Sequence, residues 1–165
     1  MPGEIPVPPP LASRVTLYLR LIYKEVQYWL VGLTPEHYHH YQAGILSELL
    51  RFDGAIKHYR AYLKLTDDPH VRANLGMLLG TVSRWAEALT EYERAFIKWR
   101  HPAVRLAIAE AHLRLGNSTE ASRLIGLVNE EECRQSDALR KARSELLAEI
   151  DSAAEPVAAG RMRED

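Results

Sequence analysis

The sequence repeats itself about every 33 residues, and this period constrains the fold more than any other feature. Ala55, Ala88 and Ala121 are 33 residues apart, and each is followed four residues later by a large apolar side chain. A spacing of four places both positions on one face of an α-helix. Repeats of this length are typical of solenoids, in which tandem units bury their apolar faces against each other. The period therefore predicts an all-α fold.

Three prolines mark where the repeats begin. Pro35, Pro69 and Pro102 occur in step with the alanines, and the first turn of a helix tolerates proline because its N–H groups lack helical partners. Thr34 and Asp68 precede two of them and are residue types that cap helix N-termini. Each repeat is long enough for two helices. The repeat region, 34–130, comprises repeats at residues 35–68, 69–101 and 102–130.

A further helix is predicted before the first repeat, within residues 12–33, and it carries two apolar stripes. We expect the wider stripe to pack on the first repeat. The thinner stripe would then remain as an association face, for a second copy of the chain or for a membrane surface. The wider stripe comprises Val15, Tyr18, Leu19, Ile22, Val26, Trp29 and Leu30. The thinner stripe comprises Leu17, Leu21, Tyr28 and Val31.

The chain is predicted to end with a capping helix at residues 137–154. One side of this helix is apolar and the other is charged, as expected for an element that closes a repeat array. Residues 1–11 are rich in proline and residues 155–165 are small or charged, so we expect both ends to be disordered. The apolar side comprises Leu139, Ala142, Leu146 and Ile150.

The repeat region resembles the tetratricopeptide repeat family. Leu75 and Gly76 match the Leu-Gly pair of that family's first helix, and Phe52 and Trp85 stand at the aromatic position that opens the second helix. The recurrent alanines match the small residue at which the two helices cross. The resemblance implies an α-solenoid of stacked antiparallel helix pairs, wound as a right-handed superhelix. It also implies a concave groove, lined by the first helix of each repeat, that binds a peptide or helix of another protein.

The implied groove is partly apolar and holds few fixed charges. Asn74 could bond a backbone amide of the ligand, and Met77 and Leu106 would offer apolar area. The groove residues implied by the resemblance are His37, His40, Ser47, Glu48, His70, Ala73, Asn74, Met77, Thr81, Leu106, Glu110, Leu113 and Arg114.

The stretch HYHHY at residues 37–41 raises the possibility of a metal site, with His37, His40 and His70 as ligands. We favour groove-lining histidines instead, since the cluster is divided among several helix faces. None of the common catalytic motifs occurs, and Cys133 lies in a polar connector, where we expect an incidental thiol. We therefore expect no catalytic residue, no metal and no cofactor.

The charge balance limits the partners. A net charge of −1 argues against a nucleic-acid binder, and Arg20, Lys24 and Glu25 interrupt the most apolar stretch, which argues against a membrane span. The favoured interpretation is a cytoplasmic adaptor or scaffold without a leader peptide. One alternative is assembly, including homo-oligomers, or membrane-surface attachment through the first helix. Another is a chaperone of bacterial type III secretion translocators, a class that is similar in overall plan.

Overall fold

The computed structural model describes residues 7–32, 34–134 and 136–160, with side chains in these ranges except at 31 and 153–160. Every regular element in these ranges is an α-helix, which confirms the predicted class. The chain divides into two compact units, the N-terminal unit (Met1–Val82) and the C-terminal unit (Ser83–Asp165). The N-terminal unit contains α1 (Leu11–Val31), α2 (Pro35–Glu48), α3 (Phe52–Leu65) and α4 (Pro69–Thr81). The C-terminal unit contains α5 (Trp85–Lys98), α6 (Pro102–Arg114), α7 (Ser118–Gly126), α8 (Glu130–Arg134) and α9 (Asp137–Gly160).

The three helix starts predicted from proline are confirmed, and side chains cap each of them. Thr34 accepts a hydrogen bond at the start of α2. Asp68 Oδ1 accepts a bond from the backbone N–H of His70 at 2.8 Å. His101, which the sequence did not single out as a cap, does the same at α6, where its Nδ1 accepts the N–H of Ala103 at 3.2 Å. These caps satisfy N–H groups that a helix leaves without partners.

The 33-residue period is also visible in the backbone of the turns. Leu50, Ser83 and Gly116 occupy equivalent positions after the first helix of each predicted repeat, and their φ angles are 58°, 60° and 84°. The left-handed region favours glycine, and other L-residues incur a cost of roughly 1 kcal/mol there. Two of the three turns keep this conformation without glycine, so the repeat is a property of the structure as well as of the sequence.

The N-terminal unit is built by consecutive packing, α1 on α2, α2 on α3 and α3 on α4. Ala43 and Ala55 are fully buried (0% exposed), which lets the backbones of α2 and α3 approach closely. In α4, Val71, Leu75 and Leu79 are also buried. The alanine pattern therefore identifies the core side of the repeat helices.

The structure reverses the predicted faces of α1. Leu17, from the thinner stripe, is only 6% exposed and packs with Leu21 against α2. Tyr28 is partly buried, with its ring centroid 4.5 Å from that of Tyr38. The side chain of Val31 lies outside the described part of the chain. The described side chains of the thinner stripe, those of Leu17, Leu21 and Tyr28, therefore pack within the unit and do not form a free association face.

The wider stripe of α1 lies at the surface instead. Its side chains are between 39% exposed, at Tyr18, and 79% exposed, at Leu30. The prediction that this stripe caps the first repeat is therefore wrong. The apolar character of α1 does not lead to a membrane span, because no helix of the described residues is long and apolar enough to cross a bilayer.

The C-terminal unit closes on its last helix. Helices α5, α6 and α7 pack consecutively, and α9 packs against α6, α7 and α8. The unit also contains a correction, since Cys133 belongs to its core (6% exposed) rather than to a polar connector. The reason is α8, a short helix that turns Cys133 inward. The core comprises Leu106, Ala109, Ala121, Ile125, Val128, Cys133, Leu139 and Leu146.

Helix α9 begins as predicted but ends later. Ser136 Oγ accepts the backbone N–H of Leu139 at 3.3 Å, which caps the helix start. The helix then continues to Gly160, past the predicted end at 154. Residues 161–165, like residues 1–6, lie outside the described part of the chain.

Candidate functional site

One face of α6 forms a wall of the candidate site. Leu106, Glu110 and Arg114 are four residues apart and therefore lie along a single helix face. Ala103 and Ala107 lie beside them and leave room because their side chains are small. Three of the predicted groove residues thus face one cavity, whereas Leu113 packs against the core of the unit.

Helix α9 supplies the opposite wall, which the sequence interpretation had assigned to capping alone. The cavity between them has a volume of about 860 Å³. Its floor is apolar, because Leu106, Leu139 and Leu146 are 3%, 8% and 8% exposed. The lining residues are His101, Pro102, Ala103, Leu106, Ala107, Glu110, Arg114, Glu132, Ser136, Ala138, Leu139, Ala142, Glu145, Leu146 and Glu149.

Arg114 connects the two walls. Its guanidinium donates to the carboxylate of Glu149 on α9 and lies 3.8 Å from Glu110 Oε1 on its own helix. The Cζ atom also lies 5.9 Å from the ring centroid of Trp85, within the range of a cation–π contact. The guanidinium is therefore held between two carboxylates and an aromatic ring.

Burial raises the pKa values of two neighbouring groups, Glu110 on the α6 wall of the cavity and Tyr92 on α5. The pKa of Glu110 is raised, chiefly by burial, and although Arg114 lowers it, the charge of Glu149 raises it further. Burial likewise raises the pKa of the Tyr92 phenol, and the charge of Glu110 adds to this effect. Glu110 therefore takes up a proton more readily than an exposed glutamate.

The rim of the cavity is acidic. It carries four carboxylates, from Glu110, Glu132, Glu145 and Glu149, against the single guanidinium of Arg114, a balance of −3 with all of them ionised. Glu145 is exposed, with its nearest cation, Lys141, at 3.8 Å. A cavity with an apolar floor and an acidic rim complements a segment that combines an aliphatic side chain with a basic one.

The predicted groove residues of the N-terminal unit lie on α2 and α4. Met77 is 61% exposed, which is unusual for a large apolar side chain. Three others bond locally. His37 Nδ1 lies 2.7 Å from Thr34 Oγ1, and Ser47 and Thr81 each donate to the carbonyl four residues earlier. His40, Glu48 and His70 are exposed, and Ala73 and Asn74 are partly exposed.

The sequence interpretation missed a polar cluster beneath α1. Glu25 Oε2 accepts bonds from Tyr38 Oη at 2.7 Å and from Gln42 Nε2 at 3.4 Å. Gln42 is 4% exposed, so its amide needs such a partner. In the same region, Nδ1 of His39 lies 3.0 Å from Nδ1 of His58. A glutamate inside an apolar stripe, opposite a glutamine, was the available signal in the sequence.

The histidine pair is a proton-sensitive contact. Burial lowers the pKa of both His39 and His58, and the neighbouring His39 and Lys57 lower that of His58 further, against an opposing effect of Glu25. Among the described residues, no three side chains of histidine, cysteine, aspartate or glutamate come close enough to hold a metal ion. The histidines that contact each other are thus different from those considered as metal ligands.

No protein-family model matches the chain, and no curated protein matches it. The helices and their consecutive packing define the class of the protein without such a relative. It is an all-α protein of helical-repeat type. The resemblance to tetratricopeptide repeats remains an interpretation of the sequence.

Proposed function

We propose that this chain is a non-catalytic interaction module of the tetratricopeptide kind, which binds a short segment of another protein in the cytoplasm. The observation that carries the proposal is the cavity between α6 and α9, whose α6 wall includes Leu106, Glu110 and Arg114, three residues that the resemblance assigns to a peptide groove. Shallow helix-lined grooves hold extended peptides or single helices in many repeat proteins.

The chemistry of the cavity favours one kind of segment. An aliphatic side chain would cover the floor formed by Leu106 and Leu146, and a lysine or arginine beside it would face Glu145 and Glu149. The Arg114–Glu149 pair would remain intact, because the basic side chain needs only the acceptors left on the carboxylates. The preferred ligand is therefore an apolar and basic peptide.

A displayed library of random peptides, selected on the full chain, tests the proposal. We expect the selected peptides to share an aliphatic residue next to lysine or arginine. Their affinity should fall about tenfold or more, about 1.4 kcal/mol, when Ala107→Leu fills the cavity from the α6 side. Ala86→Leu adds the same atoms to an exposed position of α5 and should leave the affinity unchanged.

The acidic rim has its own pair of variants. Glu145→Lys reverses a charge at the cavity and should weaken basic peptides, whereas Glu93→Lys makes the same change on the exposed side of α5. Equal effects of the two variants would show attraction to the whole surface and would reject the cavity as the site. Met77→Glu tests separately whether the N-terminal unit contributes to binding.

A further inference from the structure

The outward face of α1 is the largest apolar feature that the proposed peptide site leaves unused. We define it as the aliphatic and aromatic side chains of the wider stripe. Ile22, at its centre, is 61% exposed, and Trp29 and Leu30 are 75% and 79% exposed. A contiguous patch of exposed apolar side chains on a folded domain usually marks an interaction surface. The face points away from α2, since Leu17 and Leu21 hold the other side of the helix.

The shape of this face distinguishes between possible occupants. With 3.6 residues per turn, the outward face covers roughly 120° of the helix circumference from Tyr18 to Leu30, and the exposed Tyr23 lies just beyond Leu30. The seam of a two-helix coiled coil is narrower than this and is seldom bordered by tyrosines. A broad convex face with tyrosine and tryptophan at its borders is typical of a helix that lies in a membrane interface.

The charges along α1 point the same way. Arg14 and Arg20 border the outward face on its two sides, and neither pairs with a carboxylate among the described residues. The only acidic residue of the helix, Glu25, is exposed beside Tyr18 at one edge of the face, where its carboxylate is engaged by hydrogen bonds from Tyr38 and Gln42 of α2. A second copy of α1 would bring these arginines towards each other, whereas an anionic surface would neutralise them.

We propose that α1 docks the protein on anionic lipid bilayers, with its outward face in the headgroup region and Arg14 and Arg20 against lipid phosphates. The helix lies along the surface, since it does not have the composition of a span. This activity is separate from the proposed peptide binding, which uses the C-terminal unit. Each can fail without affecting the other.

Flotation of the full chain with lipid vesicles tests the proposal. The protein should float with vesicles of equal parts phosphatidylcholine and phosphatidylserine, and should remain unbound with phosphatidylcholine alone. The double variant Arg14→Gln/Arg20→Gln should bind the anionic vesicles roughly 25-fold more weakly, from about fivefold for each arginine. Arg134→Gln/Arg140→Gln changes the net charge equally in exposed parts of the C-terminal unit and should bind as the wild type does.

A second variant tests the apolar contribution. Ile22→Gln/Trp29→Gln should abolish flotation, and because both side chains are exposed, its circular dichroism and unfolding midpoint should match those of the wild type. Equal binding to neutral and anionic vesicles would overturn the proposal, as would no binding to either. A dimer in sedimentation velocity that this variant dissociates, without flotation of the wild type, would assign the face to a second copy instead.

Discussion

The two end helices, α1 and α9, differ in how well the sequence predicts which of their sides is buried. Each was expected to turn one apolar stripe inward. In α9 the expected side is the buried one, with Leu139 and Leu146 each 8% exposed. In α1 the expected stripe faces solvent, and the thinner stripe packs. The difference shows that helical periodicity locates an inward face only when the helix offers a single candidate.

In α9 one side is charged, so only the other, apolar side is a candidate for burial. Arg140, Lys141 and Glu145 are exposed and pair with residues on the same helix, so burying that side would remove water from these charges. In α1 either stripe could be buried, and the polar contacts that α1 makes with α2 distinguish the two sides. Glu25, an exposed residue between the two stripes, accepts bonds from Tyr38 and the buried Gln42 of α2. The buried side of α1 is therefore the one that combines apolar contacts with Ile45 and Leu49 and polar contacts with α2, rather than the one with the larger apolar area.

The largest loss of stability is expected for a substitution on the buried side of α9. Leu146→Ala removes a buried side chain from the core of the C-terminal unit and should lower the free energy of unfolding by about 2–5 kcal/mol. Leu30→Ala makes the same change on the outward face of α1, at a residue that is 79% exposed, and should cost roughly 0.5 kcal/mol or less. Urea denaturation of both variants measures the difference. Similar losses would mean that the outward face of α1 is covered in solution.

The sequence was sufficient for features that depend on short-range pattern. The prolines located the starts of α2, α4 and α6, with predicted caps at the first two, and the recurrent alanines located positions that are 0% exposed. It was insufficient where a choice depended on a neighbouring helix. The face of α1 depends on Gln42, and the second wall of the cavity depends on how α9 meets α6. Neither the spacing of residues along the chain nor helical periodicity predicts how one helix packs against another.

A matched pair within α1 is expected to give the next largest effect. Leu17→Ala should cost about 2 kcal/mol, since Leu17 is 6% exposed against α2. Leu19→Ala, two positions along the same helix and 60% exposed, should cost roughly 0.5 kcal/mol or less. Both changes alter helix propensity equally, so the difference in urea denaturation reports packing alone. The reverse order would restore the face predicted from the sequence.

The polar contact that selects the face of α1 should have a smaller effect. Tyr38→Phe removes the hydroxyl that donates to Glu25 at 2.7 Å and should destabilise the protein by roughly 1–2 kcal/mol. Burial, and then the bond and charge of Glu25, raise the pKa of Tyr38 to about 12. The difference between the spectrophotometric titrations of the wild type and Tyr38→Phe should therefore show a phenol that ionises near pH 12. Tyr18→Phe, on the outward face, provides the control, and an equal loss there would argue against a specific contact.

The smallest expected effect is a difference in pH dependence between the two units. The pKa values of His39 and His58 are lowered by folding, so the unfolded chain binds more protons, and the stability that this pair contributes is lost as pH falls below the ordinary value of 6.5. The pKa of Glu110 is raised from 4.5 by folding, so its contribution to stability has the opposite sign and is lost as pH rises.

Native-state hydrogen exchange measures this difference. Protection in α2 and α3 should be weaker at pH 5.5 than at pH 7, by about 1 kcal/mol or less for one contact between partly buried groups, without a matching loss in α6. His39→Asn keeps an amide near the Nδ1 of His58 but cannot titrate, and it should reduce the loss in α2 and α3. An undiminished loss in this variant would assign the pH dependence of α2 and α3 to other groups than the His39–His58 pair.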